Sequence, residues 1–339
     1  VTARFAFAAV IPSRDGLPHL LAAIESALAQ THPPAEVIVV DDASADGTSA
    51  AVAERFGADP RAPVRVLRGT FGGPAAARNA GWRAATAPWV ALLDADDEWL
   101  PEKLEHAAAA LARTPAAGWF FSDGSLRTVG GEVHPSAFAL CADVPRTYVG
   151  SPVAELFEVN FVLTSSVVVR RDALERLGGF DESLSQAEDL DLWIRLARAG
   201  PAAASGQALV RYQHRPEGLS QQAEPRLLGD IEVFGRLAAD PALDPGLRRA
   251  ARRRRALARY KLAVAALRDG DAATARGHLR AAWLFPERAL PVVAAWLASL
   301  LPSHGLLALH RRSWATRRLG SRFVSHRRVR LGGPGAEAR

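Results

Sequence analysis

Two acidic clusters carry the strongest chemical suggestion in this sequence. One is Asp94-Ala95-Asp96-Asp97-Glu98, directly after the apolar run Trp89 to Leu93. The other is Asp41-Asp42, followed by Ser44, Asp46 and Thr48, after Val37-Ile38-Val39-Val40. On an extended chain, side chains two apart point the same way, so Asp94 and Asp96 share a side. Two such carboxylates can hold one divalent cation, or divide between a cation and a ligand hydroxyl. Their hard oxygens suit Mg²⁺ or Mn²⁺, which keep coordination positions open for phosphate oxygens. Either cluster alone reads as well as helix capping and loop solvation. Two on one sheet edge are different, because gathered like charges repel and call for a cation. A third acidic group, Glu188, Asp189 and Asp191, heads a helix pattern, where the helix dipole alone would favour it.

The elements that must position these groups follow from the apolar periodicity. Phe5 to Ile11, Val37 to Val40, Val64 to Leu67 and Trp89 to Leu93 read as strands. Leu20, Leu21, Ile24 and Leu28, then Ala50 to Phe56, then Ala75 to Ala85, read as helices. This alternation predicts an α/β fold, a mostly parallel sheet with flanking helices. Ligands on such sheets bind beyond the carboxyl ends of the strands, which is where both clusters fall. Residues 115–215 are less regular. Strands are expected at Trp119 to Ser122, Val167 to Arg170 and, briefly, Val210 to Gln213, with a turn at Gly178-Gly179-Phe180-Asp181. Glu188 to Ala199 reads as a helix with Leu190, Trp193, Ile194 and Ala197 on one face and an Asp191–Arg195 pair on the other. Most of the tryptophans are expected in the core.

From Pro225 onward the pattern is helical, with no strand run worth naming. Two short helices are expected around Asp269-Gly270-Asp271. Ala275, Leu279 and Ala282 are spaced like the second helix of a tetratricopeptide unit, but one unit makes no solenoid. Charge divides the chain as well. Residues 1–224 hold 19 Lys and Arg against 28 Asp and Glu; residues 225–339 hold 23 against 8. An acidic body suits a metal-using site, and a basic tail suits an anionic surface. Arg248 to Arg259 contains seven arginines, read as a solvated helix face or a contact for anionic lipid. Sparse aromatics and the lack of a reader motif argue against nucleic acid. Ala289 to Leu309 is apolar but broken by Pro291, Pro302, Ser303 and His304, which favours helices lying on protein or a bilayer surface over a spanning helix.

The composition, 49% apolar and 23% charged over 339 residues, excludes a disordered or collagen-like chain. A single cysteine, Cys141, excludes an internal disulfide and any multi-cysteine zinc site. Pro12-Ser13-Arg14-Asp15 follows the first apolar run at once, so that run reads as a strand and not a signal peptide. Gly72-Gly73 could cradle a phosphate, but no Gly-Lys-Ser/Thr follows and no Gly-x-Gly-x-x-Gly is present, so neither a P-loop nor a dinucleotide fold is indicated.

Taken in order, Val10 to Asp15, Ser26 to Thr31, Val37 to Thr48, Gly72 to Gly81 with its Ala-Arg-Asn-Ala-Gly, Leu92 to Asp97, Gly178 to Glu182 and Ala187 to Leu192 resemble the family 2 glycosyltransferases of the GT-A fold. The resemblance covers residues 5–220. It implies a GT-A domain over 1–222, with a nucleotide-sugar half to about 100 and an acceptor half beyond. A helical basic C-terminal region, 223–331, and a frayed tail, 332–339, complete the expected organisation. It implies inverting, metal-dependent transfer of a sugar from a nucleotide-diphosphate sugar to a saccharide or lipid-linked acceptor, in polysaccharide or glycoconjugate synthesis. The expected location is cytoplasmic, peripheral at the inner face of the membrane. The alternative is a non-catalytic nucleotide-sugar or polysaccharide-binding protein on the same fold.

Carried over by position, Asp42 would read the nucleotide base, and Pro12, Ser13 and Asp15 would line its pocket. Arg78 would stand near the nucleotide, stacking on a base or reaching phosphate. Asp94 would face the donor ribose or sugar, and Asp96 would hold Mg²⁺ or Mn²⁺ on the diphosphate. Asp97 would support the site or touch the sugar. Asp189 matches the catalytic base, with Glu188 beside it expected on the nucleotide-sugar side and left open as the competing carboxylate. His214 would complete the metal shell, although a lone histidine is as often structural. Ser220 lies in a loop able to close over the donor.

Overall fold

A computed structural model describes residues 5–57, 63–215, 222–282 and 329–331. Ser220, the apolar stretch 289–309 and the tail 332–339 lie outside the described residues. Two compact units are distinguished, Val1–Gln221 with Ser325–Arg339, and Gln222–Val324.

The first unit opens with the expected alternation: β1 (Phe7–Ser13), α1 (His19–Leu28), β2 (Glu36–Asp42), α2 (Thr48–Phe56), β3 (Val64–Gly69), α3 (Pro74–Ala84) and β4 (Trp89–Leu92). β5 (Glu98–Trp99), α4 (Lys103–Arg113), β6 (Trp119–Arg127), β7 (Val133–His134), α5 (Phe138–Cys141), β8 (Ala142–Asp143), β9 (Thr147–Gly150) and α6 (Val153–Glu158) follow. A 3₁₀ turn at Thr164–Ser166 leads into β10 (Val168–Arg170), α7 (Arg171–Leu177), α8 (Glu188–Ala199) and β11 (Ala202–Gln213). The main sheet runs in the order β3-β2-β1-β4-β10-β6-β11-β5. Its first four strands are parallel. β10 then pairs antiparallel with β4 and β6, β6 with β11 in parallel, and β11 antiparallel with β5 and β9. The sheet as a whole is therefore mixed, parallel where the β/α alternation is regular.

Val37 to Val40 are fully buried, as a strand covered on both faces requires. α3 lies close on this half of the sheet. A Cβ at Gly81 would run into Val10 Cγ1, with Val40 Cγ2 at 3.1 Å, so the glycine sets the helix-to-sheet distance. Trp82, Trp89, Trp99, Trp119 and Trp193 are all buried, and Trp119 stacks on Trp193 with ring centroids 6.1 Å apart. The expected short strand at Val210 to Gln213 is instead a 12-residue strand, β11. Its first half, Ala202-Ala203-Ala204-Ser205, lacks the β-branched run that marks a strand, and tertiary pairing with β6 and β9 decides the matter.

The second unit contains α9 (Ala223–Ala239), α10 (Pro245–Arg268) and α11 (Ala272–Ala282). Asp244 caps α10, accepting from Gly246 N at 2.7 Å and Leu247 N at 3.2 Å. The expectation of two short helices around residues 269–271 is corrected on one side: the first is the end of a single 24-residue helix running through the arginine cluster. Leu262 and Ala263 continue its buried stripe, so nothing interrupts it before Asp269. A two-residue strand, β12 (Val329–Arg330), also corrects the all-helical reading of 223–331. It pairs with β8 in the first unit, a contact too short to announce itself in the sequence.

Candidate functional site

The site assembles where β1, β2 and β4 end. β4 delivers Asp94, Asp96 and Asp97 on a tight turn, with Asp97 N donating to Asp94 O at 3.1 Å. Asp97 is 1% exposed. It accepts from Ser165 Oγ at 2.5 Å and Gln213 N at 3.0 Å, so it ties the acidic turn to the 3₁₀ turn and to β11. Burial, with Asp94 and Asp96 nearby, pushes its carboxyl well above the ordinary range. This placement suits a supporting role rather than contact with a sugar. Ser165 also accepts from Asp94 N at 3.0 Å, and its neighbour along the chain of contacts, Trp99, donates to Ser165 O at 2.7 Å.

Asp96 reaches Arg215, 3.2 Å away. Burial and the Asp94 charge raise its carboxyl, the electrostatic pressure that a cation relieves. Among the described residues no group of three or more His, Cys, Asp or Glu side chains gathers around a common point. His214 donates its backbone N–H to Arg127 O at 2.9 Å and sets its ring edge-on to Tyr212. The carboxylates nevertheless fit Mg²⁺ or Mn²⁺: they are hard oxygen donors, few enough to leave positions for diphosphate oxygens and water.

Arg78 is the joint of the site. It is buried, and its guanidinium donates to Asp94 Oδ1 and to Glu188 Oε1, both at 2.8 Å. Burial opposes its charge, but Asp94 and Glu188 outweigh it and hold the guanidinium protonated. Phe180 lies under it, 5.4 Å from ring centroid to Cζ. Asn79 makes a parallel connection. Its Nδ2 donates to Phe180 O and Glu182 Oε1, and its Oδ1 accepts from Phe180 N and Trp82 Nε1, all at 2.7 to 2.9 Å. Gly179, at φ +74°, has no room for a Cβ beside Asn79 Oδ1. The Arg-Asn pair on α3 therefore clamps the segment before α8 to the end of β4. Arg78 is thereby engaged with two carboxylates.

That clamp separates the two carboxylates that the sequence leaves open. Glu188 is tied to Arg78. Asp189 accepts from Asn160 Nδ2 at 3.1 Å and, through Oδ1, from Leu190 N at 2.6 Å. Burial among protein atoms, although part of its surface still meets solvent, pushes its carboxyl up to about 7, and the Glu188 charge adds to the rise. Asp191 is held by Arg195 at 2.6 Å, as its spacing predicts.

At the other side of the site, Asp42 is buried and accepts from Phe71 N, Gly72 N and Gly73 N at 2.5, 3.1 and 2.9 Å. The Gly72-Gly73 loop, with both φ positive, is thus a nest of amides closed on the chain's own carboxylate. Asp15, at φ +51°, accepts from Ala45 N at 2.7 Å, and its N–H donates to Ser44 Oγ at 2.9 Å. Ser13 is buried, and its Oγ has no hydrogen-bond partner among the described residues, a polar atom left facing this end of the sheet beside Pro12. Sequence reasoning missed Asn160, Ser165 and Arg215. Each comes from an irregular segment, and only Arg215, next to His214, carried a positional signal.

Comparison with known proteins places this geometry. The model of "Glycosyl transferase family 2" matches residues 8–178. The succinoglycan biosynthesis protein ExoO of Rhizobium meliloti is 34% identical over 241 residues, 69% of this chain and 66% of that protein. The amylovoran biosynthesis glycosyltransferase AmsB of Erwinia amylovora is 29% identical over 211 residues, 57% of this chain and 64% of that protein. The chain thus spans somewhat less than two thirds of these relatives' length. Among solved structures, S. aureus TarS 1-349 in complex with UDP aligns at a TM-score of 0.62 and 17% identity, covering 91% of this chain and 92% of that one. The mannosyltransferase PcManGT of Pyrobaculum calidifontis, in complex with GDP-Man and Mn2+, aligns at 0.56 and 22%, covering 94% and 88%. At such identities these two structures speak for the fold, which is of the GT-A type. With its ordered motifs, its sheet and a family match over half its length, the chain belongs to glycosyl transferase family 2.

Proposed function

We propose that this chain transfers a sugar, with inversion, from a nucleotide-diphosphate sugar to a hydroxyl of a saccharide or lipid-linked acceptor in polysaccharide or glycoconjugate synthesis. The observation that carries this reading is the Arg78 bridge, because it ties Asp94, on the proposed donor side, to Glu188, the chain neighbour of the proposed base Asp189. Names of relatives in polysaccharide synthesis support the substrate class.

In the proposed reaction an acceptor hydroxyl attacks the anomeric carbon as its bond to the diphosphate oxygen breaks. Asp189 takes the hydroxyl proton. A carboxylate whose proton leaves near pH 7 is matched to that work, and no covalent enzyme intermediate is required. Asn160 and Leu190 N orient it. Asp94 orients the donor ribose or sugar, held by Arg78. Pro12, Ser13, Asp15 and Asp42 line the nucleotide end. Asp96, with His214, would hold Mg²⁺ or Mn²⁺, and a cation there would supply neutralisation of the charge growing on the leaving diphosphate. The basic face of α10 would rest on anionic lipid. Among the described residues no helix is long and apolar enough to cross a membrane.

The test is calorimetric titration of UDP, GDP, dTDP and CDP with and without Mn²⁺. One diphosphate should bind only with metal, and Asp96→Ala should abolish that binding. Folded protein that binds none of the four overturns the donor-site reading. Metal-dependent binding with no transfer from any matching nucleotide sugar leaves the non-catalytic binding protein as the correct reading.

A further inference from the structure

A second cleft opens in the first unit, away from the acidic turn. It is a half-open depression of about 500 Å³ between α4, the loop before β9 and the first half of β11. Pockets that hold small ligands span about 300–1,000 Å³. Ala109, Ala110 and Ala204 leave its floor open, and Arg113 and Arg146 supply its charge. Both arginines are exposed, and neither has an acidic partner among the described residues. The one carboxylate on the rim, Glu105, accepts from Thr31 Oγ1 at 2.7 Å.

The cleft is built rather than incidental. β11 departs from regular pairing with β6 between Ser205 and Ala208. Such bulges re-aim side chains beside functional sites. Gly206 allows the 144–146 segment to lie against the bulge: its N–H donates to Arg146 O at 3.3 Å, and a Cβ there would stand 2.9 Å from the carbonyl oxygens of Val144 and Pro145. This fixes the backbone beneath the Arg146 side chain. The buried Ser205 Oγ accepts from Gln207 N at 3.2 Å. Two guanidinium forks match carboxylate or phosphate oxygens, and a hydroxyl, Thr147 and the Gln207 amide match sugar hydroxyls. Gln213, which binds Asp97, is eight residues further along β11, roughly 25 Å at the rise of a strand.

We propose that this cleft is a second saccharide site, selective for sugars that bear a carboxylate or a phosphate. The proposal stands apart from the transfer reaction, since its test reads binding alone. Trigalacturonate, glucose 6-phosphate, maltotriose and inorganic phosphate would be titrated into the full chain, followed by calorimetry. At least one acidic sugar should bind tenfold or more tightly than both maltotriose and inorganic phosphate, and the one that binds identifies the source of the charge. The double variant Arg113→Ala/Arg146→Ala should lose that binding tenfold or more. Ala109→Trp, which fills the cleft and keeps both arginines, should lose it too. Arg146→Gln, on an exposed loop, changes nothing in the core and should weaken binding about fivefold, which keeps the test open if another variant melts early. Failure of both acidic sugars to bind overturns the proposal. So does equal binding of inorganic phosphate, and so does binding that survives all three variants.

Discussion

Asp94, Asp96 and Asp97 lie within four residues at the end of β4, and seven arginines lie within twelve residues on α10. The first group is drawn into the protein. Each carboxylate has a named partner, and burial raises the carboxyls of Asp96 and Asp97. The second group is laid along a helix. Arg249 and Arg252 stand exposed, and Arg254 forms a largely buried ion pair, 3.2 Å from Asp230. Like charge kept in spite of desolvation marks a place where chemistry needs it. Like charge left in water makes a field and no more. Substitutions should therefore act on rate and global stability in the first region, and on surface binding in the second.

The largest expected effect is on rate. Asp189→Asn keeps the shape and removes the base, so kcat should fall about a thousandfold, within the range for losing a positioned base. Diphosphate binding should stay within about threefold. Full turnover in this variant would break the assignment and pass the role to Glu188. The wild-type rate should also rise with pH up to about 7, since Asp189 works only after losing its proton. One unit below that value the rate should be about tenfold under its plateau. Stability has the opposite slope. The folded chain holds this proton more tightly than the unfolded chain, so the contribution is complete below about pH 4 and lost as pH rises through about 7. Asp189→Asn should accordingly be the more stable protein at pH 8, as a melting comparison would show.

Next is Arg78→Met. It leaves the buried Glu188 and the partly buried Asp94 without their shared cation, which costs about 3 kcal/mol. Urea unfolding would measure it, and adding Glu188→Gln should recover part of the loss. Independent effects of the two substitutions would mean that the bridge does not join the donor and acceptor sides.

Much of this frame could be read from residue order, and the reasons for the exceptions are physical. The parallel half of the sheet was legible because Val37 to Val40 and its neighbours are buried on both faces and so must be apolar throughout. β11 was half hidden, since alanines and Ser205 form a strand only because β6 and β9 pair with them. Resemblance gathered Arg78 with the site. The partners the structure gives it, 16 and 110 residues away, are long-range contacts that no local pattern encodes. Asp42 likewise faces amides of a loop about thirty residues on. Ser165 and Asn160 left no trace, because a lone polar residue in an irregular segment looks like any other.

The smallest effects belong to α10, and they sharpen the contrast inside a single helix. Arg254→Gln strands the largely buried Asp230 and should cost about 1–3 kcal/mol in the second unit. Arg252→Gln, two residues away and exposed, should change stability by less than about 0.5 kcal/mol. On vesicles containing anionic lipid the order should reverse. A surface arginine contributes about 1 kcal/mol there, so Arg252→Gln should weaken sedimentation about fivefold at low salt, and the difference should vanish at high salt as screening takes over. Arg254 is engaged with Asp230 and Phe234 and should matter less to lipid. If both substitutions weaken vesicle binding equally, a net-charge field explains the contact and no particular face of α10 does. If neither does, the arginine run is a solvated surface, and the basic charge of this region must be explained by something other than lipid.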